Sequence, residues 1–212
     1  MSLYPHLLVQ RARVGSSALR HQDVRQLDGE PALALALALA PPRLWGYLLD
    51  ATLDGFAEGF ARPHDGKVST RIHQGLRVAQ NTLRARIDGL LDRRGADVAL
   101  LALAREGDVL HLLVAGGLRA YVFRQRSLRR LGTYDATDEG LLKAEPIWCA
   151  EPVEPGDLVF AGASPLFTEQ ALTRVREACL ADRQLDPGKV ASLLNSDESV
   201  VRGDAVIAFR VS

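Results

Sequence analysis

The spacing of apolar and polar residues changes period several times along this chain, and each change predicts an element. Leu7–Val14 alternates well enough to open with a strand, which Gly15-Ser16-Ser17 punctuates. Val24–Leu27 predicts a second short strand, closed by the turn signal Asp28-Gly29-Glu30-Pro31. Ala32–Ala40 then alternates alanine and leucine without a break. Both residues favour helix by intrinsic propensity, whereas a period of two puts Leu33, Leu35, Leu37 and Leu39 on one face and alanines on the other. The run is short and Pro41-Pro42 stops it, so a strand is expected.

Two helical stretches follow. Within Arg43–Phe60, residues Trp45, Leu48, Leu49, Leu53, Phe56 and Phe60 fall at helical spacing until Pro63 and Gly66 break the run. Within Val68–Leu91, residues Ile72, Leu76, Ala79, Leu83, Ile87 and Leu90 form one side, with Arg77, Arg84, Arg86 and Asp88 mostly off it. The rhythm then turns strand-like. Val98–Ala104 and Val109–Ala115 are joined by the hairpin signal Arg105-Glu106-Gly107-Asp108, and Leu118–Phe123 and Ser127–Leu131 follow Gly116-Gly117. A polar, glycine-containing segment spans Gly132–Gly140, and Pro155-Gly156-Asp157 turns into the strand Leu158–Ala161. Helices are predicted over Thr168–Ala181 and Pro187–Leu194, and Ala205–Val211 closes the chain as a strand. There is no internal repeat. Strands, two consecutive helices and an antiparallel run point to an α+β protein with segregated helices rather than a doubly wound parallel sheet.

The 212 residues suit one domain, 1–212. Lys+Arg and Asp+Glu both number 26, a balance that gives no basis for a nucleic-acid or anionic-membrane partner. The basic clusters Arg124–Arg126 and Arg129–Arg130 are expected to be a solvated strand face. Cys149 and Cys179 have no metal-ligand spacing and are expected to be free thiols in a reducing compartment. No apolar run reaches membrane-spanning length, and the first residues lack a basic-then-apolar leader, so a cytoplasmic protein is expected.

Familiar catalytic patterns are absent. Ser164 in Gly162-Ala163-Ser164-Pro165 lacks the flanking glycines of a nucleophile elbow. Gly116-Gly117 does not extend into a phosphate loop. His6, His21, His64, His73 and His111 have no ligand spacing; His111 is expected to pack within its strand.

Several phrases, in order, carry a resemblance. They are Gly75-Leu76-Arg77-Val78-Ala79-Gln80-Asn81-Thr82-Leu83, Leu113-Val114-Ala115-Gly116-Gly117-Leu118-Arg119-Ala120-Tyr121-Val122, Glu154-Pro155-Gly156-Asp157-Leu158-Val159-Phe160 and Gly203-Asp204-Ala205-Val206-Ile207-Ala208. Together they resemble the type-2C (PPM, metal-dependent) serine/threonine protein phosphatase family across nearly the whole chain. The resemblance implies a four-layer α-β-β-α sandwich of two mostly antiparallel sheets flanked by helices. It also implies a centre where carboxylates hold two Mg²⁺ or Mn²⁺ ions, hard cations that take oxygen ligands and activate water for attack on phosphorus.

Most of the implied acids are missing. The stretch matching the first motif runs Ala18-Leu19-Arg20-His21-Gln22-Asp23: Ala18 stands for the phosphate-binding arginine, Gln22 for a glutamate, and Asp23 is retained. Gln22 carries little weight by itself. Arg20 shares a strand face with Ala18, although a solvated role is expected for it, and His21 is the one histidine placed to face the site. The second motif falls on Pro41-Pro42-Arg43, without an acid; an alternative register on Asp50 or Asp54 would consume the first helix, where Asp50 is expected to be solvated. Gly117, before Arg119, stands for the third acid, Ala163 or Ser164 for the fourth, and Asp204 survives in the fifth. No catalytic residue and no competent metal site is therefore expected; Asp23 and Asp204 are residual candidates for weak Mg²⁺ or Mn²⁺. The resemblance with its losses implies a pseudophosphatase that binds a protein partner (a kinase, a phosphoprotein or a signalling assembly) or itself. The alternative is a divergent Mg/Mn-dependent phosphoprotein phosphatase using Asp23, Asp204 and a further ligand such as Asp50.

Overall fold

Alternation and turn chemistry build two antiparallel sheets in the computed structural model, which describes residues 5–27, 32–62, 66–91, 93–132 and 137–212. The predicted turn at 28–31, Pro63, His64, residues 1–4 of the opening segment and the middle of the 132–140 segment lie outside the described residues. The first half contains β1 (His6–Val9), β2 (Ala12–Val14), β3 (Ser17–Leu19), β4 (Gln22–Leu27), β5 (Ala32–Leu39), α1 (Trp45–Ala61) and α2 (Val68–Asp88). Next come β6 (Asp97–Glu106), β7 (Val109–Ala115), β8 (Leu118–Arg124), β9 (Ser127–Arg130), β10 (Ile147–Pro152) and β11 (Leu158–Ala163). The last elements are α3 (Glu169–Ala181), α4 (Pro187–Leu194), α5 (Asp197–Arg202) and β12 (Ala205–Arg210).

One five-stranded sheet has the order β1-β12-β11-β8-β9 and the other β10-β7-β6-β5-β4, with β2-β3 as a separate hairpin. Leu33, Leu35 and Leu37 of β5 meet Leu118, Ala120, Val159 and Ile207 in the core between the sheets. Ala32, Ala34, Ala36 and Ala38 lie on the other face against α1 and α2, packed with Leu49, Phe56 and Leu83. The small alanines let the helices approach, while the leucines fill the space between sheets; each fully buried leucine contributes about 1.5–3 kcal/mol. Tyr121, Phe160 and Val206 face Val175, Val190 and Leu194 on α3 and α4, completing the α-β-β-α layers expected above. Thr168 caps α3, accepting a hydrogen bond from the Ala171 amide at 3.1 Å, and Asp186 caps α4, accepting from the Gly188 amide at 2.7 Å.

Three elements had no periodic signal. The opening strand divides into β1 and β2 at Gln10-Arg11, and β3 pairs back onto β2. β10 is a half-buried edge strand bounded by prolines, paired among the described residues with β7. α5 is a six-residue helix held by a capping box between Ser196 and Ser199. Within the basic clusters Arg126 and Arg129 are exposed as expected, whereas Arg124 is bound to the buried Asp157. His111 is packed as expected, its ring 5.4 Å from that of Trp148. Among the described residues no helix is long and apolar enough to cross a membrane.

Candidate functional site

Three strand ends of the first sheet lie together. β11 pairs Ala163 with Leu118 of β8 and Gly162 with Val206 of β12, which brings Gly117, Ser164 and Asp204 to the same end of the sandwich. β4 of the second sheet starts there as well, with Gln22 opposite Leu37 on the face toward the inter-sheet core. Gln22 is fully buried. Its side-chain amide donates to Asp204 Oδ1 at 2.7 Å, and its Oε1 accepts from the Ala205 backbone N–H at 3.0 Å. One glutamine thus ties the two sheets together across 182 residues of sequence.

The other carboxylate oxygen of Asp204 receives two N–H groups from Arg202, at 3.0 and 2.7 Å. Between them Gly203 ends α5 with φ 72°, and a Cβ there would lie 2.3 Å from the Ala12 nitrogen, so the turn that folds Arg202 onto Asp204 requires glycine. His21 stacks on Trp45 with ring centroids 4.3 Å apart, its Nδ1 2.9 Å from the Arg202 carbonyl oxygen and its Nε2 3.1 Å from that of Ala38. Burial pushes the Asp204 carboxyl above its ordinary pKa, and the hydrogen bond and charge of Arg202 oppose that rise.

Asp23 faces the other way. It pairs with Ala36, whose side chain lies under α1, so it projects from the opposite face of β4 to Gln22. There Arg20 donates to Asp23 at 2.7 Å and to Asp50 of α1 at 2.6 Å, and Arg25 pairs with Asp54 one turn further on. Arg20 and Asp50 remain 36% and 49% exposed, in keeping with the solvated roles expected from sequence, but they are paired with each other. Asp23 and Asp204 do not share one ligand set, because β4 stands between the directions they face.

No family model matches this chain, and no curated protein matches it. Solved structures do. The serine/threonine phosphatase PstP/Ppp of Mycobacterium tuberculosis superposes with a TM-score of 0.77 over 99% of both chains at 16% identity. The fold is that of the PPM-type serine/threonine phosphatases. The PstP catalytic domain in complex with two manganese ions gives a TM-score of 0.75 over 99% of each chain at 16% identity. The serine/threonine phosphatase of S. agalactiae gives 0.76 over 98% of each chain, also at 16%.

A two-metal centre does not fit the residues that this phosphatase fold carries here. Ala163 is 2% exposed within the apolar inter-sheet core, Pro41 is exposed ahead of a short 3₁₀ turn, and Ala18 is exposed on β3. Gly117 offers no side chain, and a Cβ there would already lie 3.3 Å from the Thr137 carbonyl oxygen. Its neighbour Gly116, at φ 99°, would place a Cβ 2.6 Å from Ala99 Cβ, which fixes the chain's path at this point. Ser164 donates its backbone N–H to the Gly117 carbonyl at 2.9 Å, and its hydroxyl has no hydrogen-bond partner among the described residues. Arg119 alternates with the core residues Leu118 and Ala120 and shares the face of Tyr121, so it points toward the helices rather than into the inter-sheet site.

Among the described residues, no three histidine, cysteine, aspartate or glutamate side chains come together in a group able to hold a metal. The charges are arranged for guanidinium instead. An N–H of Gln22 faces Asp204 where a metal centre would need a second oxygen, and Arg202 supplies the positive charge. Sequence reasoning gave Gln22 little weight and overlooked Arg202. The Gly203-Asp204 turn after a short capped helix was the available signal for Arg202; the first motif placed Gln22 at the site, but its partners, at the far end of the chain, left no signal.

Proposed function

We propose that this chain is a non-catalytic protein-binding or regulatory module built on the phosphatase fold. The observation that carries the reading is the occupation of both Asp204 oxygens, one by Gln22 and the other by Arg202. Three of the carboxylate's acceptor sites are so taken, and releasing them to a cation would strand the buried Gln22 amide and separate the Arg202 guanidinium, 34% exposed, from its nearest anion. The polar end of the sandwich then serves to hold the two sheets in register, and the surface around it is free to specialise for a protein partner. A phosphoprotein, a kinase, another member of a signalling assembly or a second copy of the chain are the partners this reading expects, in a cytoplasmic setting.

The test is Mn²⁺ calorimetry alongside hydrolysis of a phosphothreonine peptide. Neither saturable Mn²⁺ uptake nor Mn²⁺-dependent turnover is expected from the intact chain. Turnover that depends on Mn²⁺ and vanishes in Asp204→Ala would overturn the proposal.

A second reading, a divergent Mg/Mn-dependent phosphatase, draws on one observation: Arg20 gathers Asp23 and Asp50 on one spot. Removing the guanidinium would leave two carboxylates facing each other. Mn²⁺-dependent hydrolysis gained by Arg20→Ala would favour that reading.

A further inference from the structure

The end of the sandwich away from Asp204 contains a cavity of about 510 Å³. β8 runs from Leu118 at the site end to Arg124 at the cavity, six steps of about 3.3 Å, so the two places are about 20 Å apart. The cavity is within the size range of small-molecule pockets.

Its lining is unusually rich in guanidinium. Four arginines contribute, and only two carboxylates, Glu154 and Asp157, accompany them. Arg124 takes both, bonding Asp157 at 2.9 Å and Glu154 at 3.4 Å. Arg210 donates to the carbonyls of Gly156 at 2.6 Å and Leu185 at 2.7 Å, which fix its position, and it meets no carboxylate among the described residues. Arg126 and Arg183 are exposed and make no hydrogen bond or ion pair among the described residues. Four guanidinium groups against two carboxylates leave the cavity lining with an excess of two positive charges, and neither carboxylate engages Arg126, Arg183 or Arg210 among the described residues.

The turn that presents Arg126 strengthens the case. β8 and β9 are joined by Gln125 and Arg126, with φ 46° and 71°. A two-residue hairpin with positive φ at both positions is the setting of Asn-Gly, and side chains with a large Cβ substituent disfavour it. Keeping an arginine in that conformation at a cavity mouth is a local conflict of the kind found where a side chain serves a ligand. Apolar wall is supplied by Phe123 and by Leu180, which is 38% exposed.

We propose that this cavity binds a small phosphate-bearing molecule, the phosphate held by Arg126 and Arg183 and the apolar part of the ligand lying against Phe123 and Leu180. A phosphate dianion matches several guanidinium forks, whereas a carboxylate monoanion would leave positive charge uncompensated. The cavity's size and the chain's zero net charge favour a small molecule over a nucleic acid.

The experiment follows backbone amide shifts of the full chain by NMR during titration with phenyl phosphate, inorganic phosphate and benzoate. Saturable shifts at Gln125, Arg126 and Gly156 are expected with phenyl phosphate, at least about tenfold tighter than with benzoate. Tighter binding of phenyl phosphate than of inorganic phosphate assigns the site to an organic phosphate; equal binding assigns it to the free anion. The double variant Arg126→Gly, Arg183→Gln keeps the hairpin, since glycine suits φ 71°, and should weaken phosphate binding at least about tenfold. Arg183→Gln alone, at an exposed position, should weaken it in the same direction. Non-saturating shifts, benzoate bound as tightly as phenyl phosphate, or variants that bind like the wild type would overturn the proposal.

Discussion

Asp157 and Asp204 are each only 3% exposed and each is held by an arginine, but they stabilise the molecule at different ranges. Asp157 is a local brace. It accepts from Arg124 and from the Glu154 backbone N–H at 2.9 Å, closing the turn that feeds β11. Asp204 is a long-range tie, reaching through Gln22 to the other sheet. The contrast explains what each residue allows a reader to infer. Part of the brace, the Glu154 amide, lies in the same short phrase as Asp157, with Arg124 reached 33 residues back on β8, whereas the tie depends on a residue at the opposite end of the chain.

Three experiments would break or sharpen that comparison. The largest effect is expected from Asp157→Ala, which removes the buried carboxylate from Arg124, leaves it only the longer contact to exposed Glu154, and should cost about 3 kcal/mol in urea denaturation. Gln22→Ala comes next. It strands Asp204 Oδ1 and the Ala205 N–H in the interior, an expected loss of about 2 kcal/mol. A larger loss from Gln22→Ala than from Asp157→Ala would reverse the ranking of tie and brace.

The smallest effect concerns acid. The Asp204 carboxyl is raised above 3.8 by burial. A carboxyl raised in the folded chain favours folding when protonated, so its contribution is complete below the unfolded value and is lost as pH rises through the folded one. Asp204→Asn removes that titration. The wild type should therefore lose stability relative to Asp204→Asn as pH rises from below 3.8 toward neutrality. A stability difference that stays flat over that window would show that Arg202 and Gln22 cancel the burial effect.

The elements built from periodicity were legible before any coordinates. β5, β7 and α4 follow directly from alternation, apolar runs and a proline start, because a residue's face is fixed by its spacing to close neighbours. β10 and α5 were not, since an edge strand and a single capped turn bury too little to leave a pattern. The site divides in the same way. The absence of acids at Pro41, Gly117 and Ala163 could be read from the motifs, as could the survival of Asp23 and Asp204. That these two face opposite sides of β4 follows from the register of β4 on β5, and the arginine partners depend on chain reversals that composition does not encode.

The Ala–Leu run of β5 has a further consequence. Sliding it by two residues leaves every leucine between the sheets and every alanine under the helices, so the repeat is its own copy and carries no address. Its alignment must be chosen by whatever is aperiodic at its borders. Pro41-Pro42 marks one border, and Gln22, bonded to Asp204 and Ala205 from its place opposite Leu37, marks another. The polar end of the sandwich is in this sense a locating pin: it selects one alignment from a set that hydrophobic burial alone treats as equal.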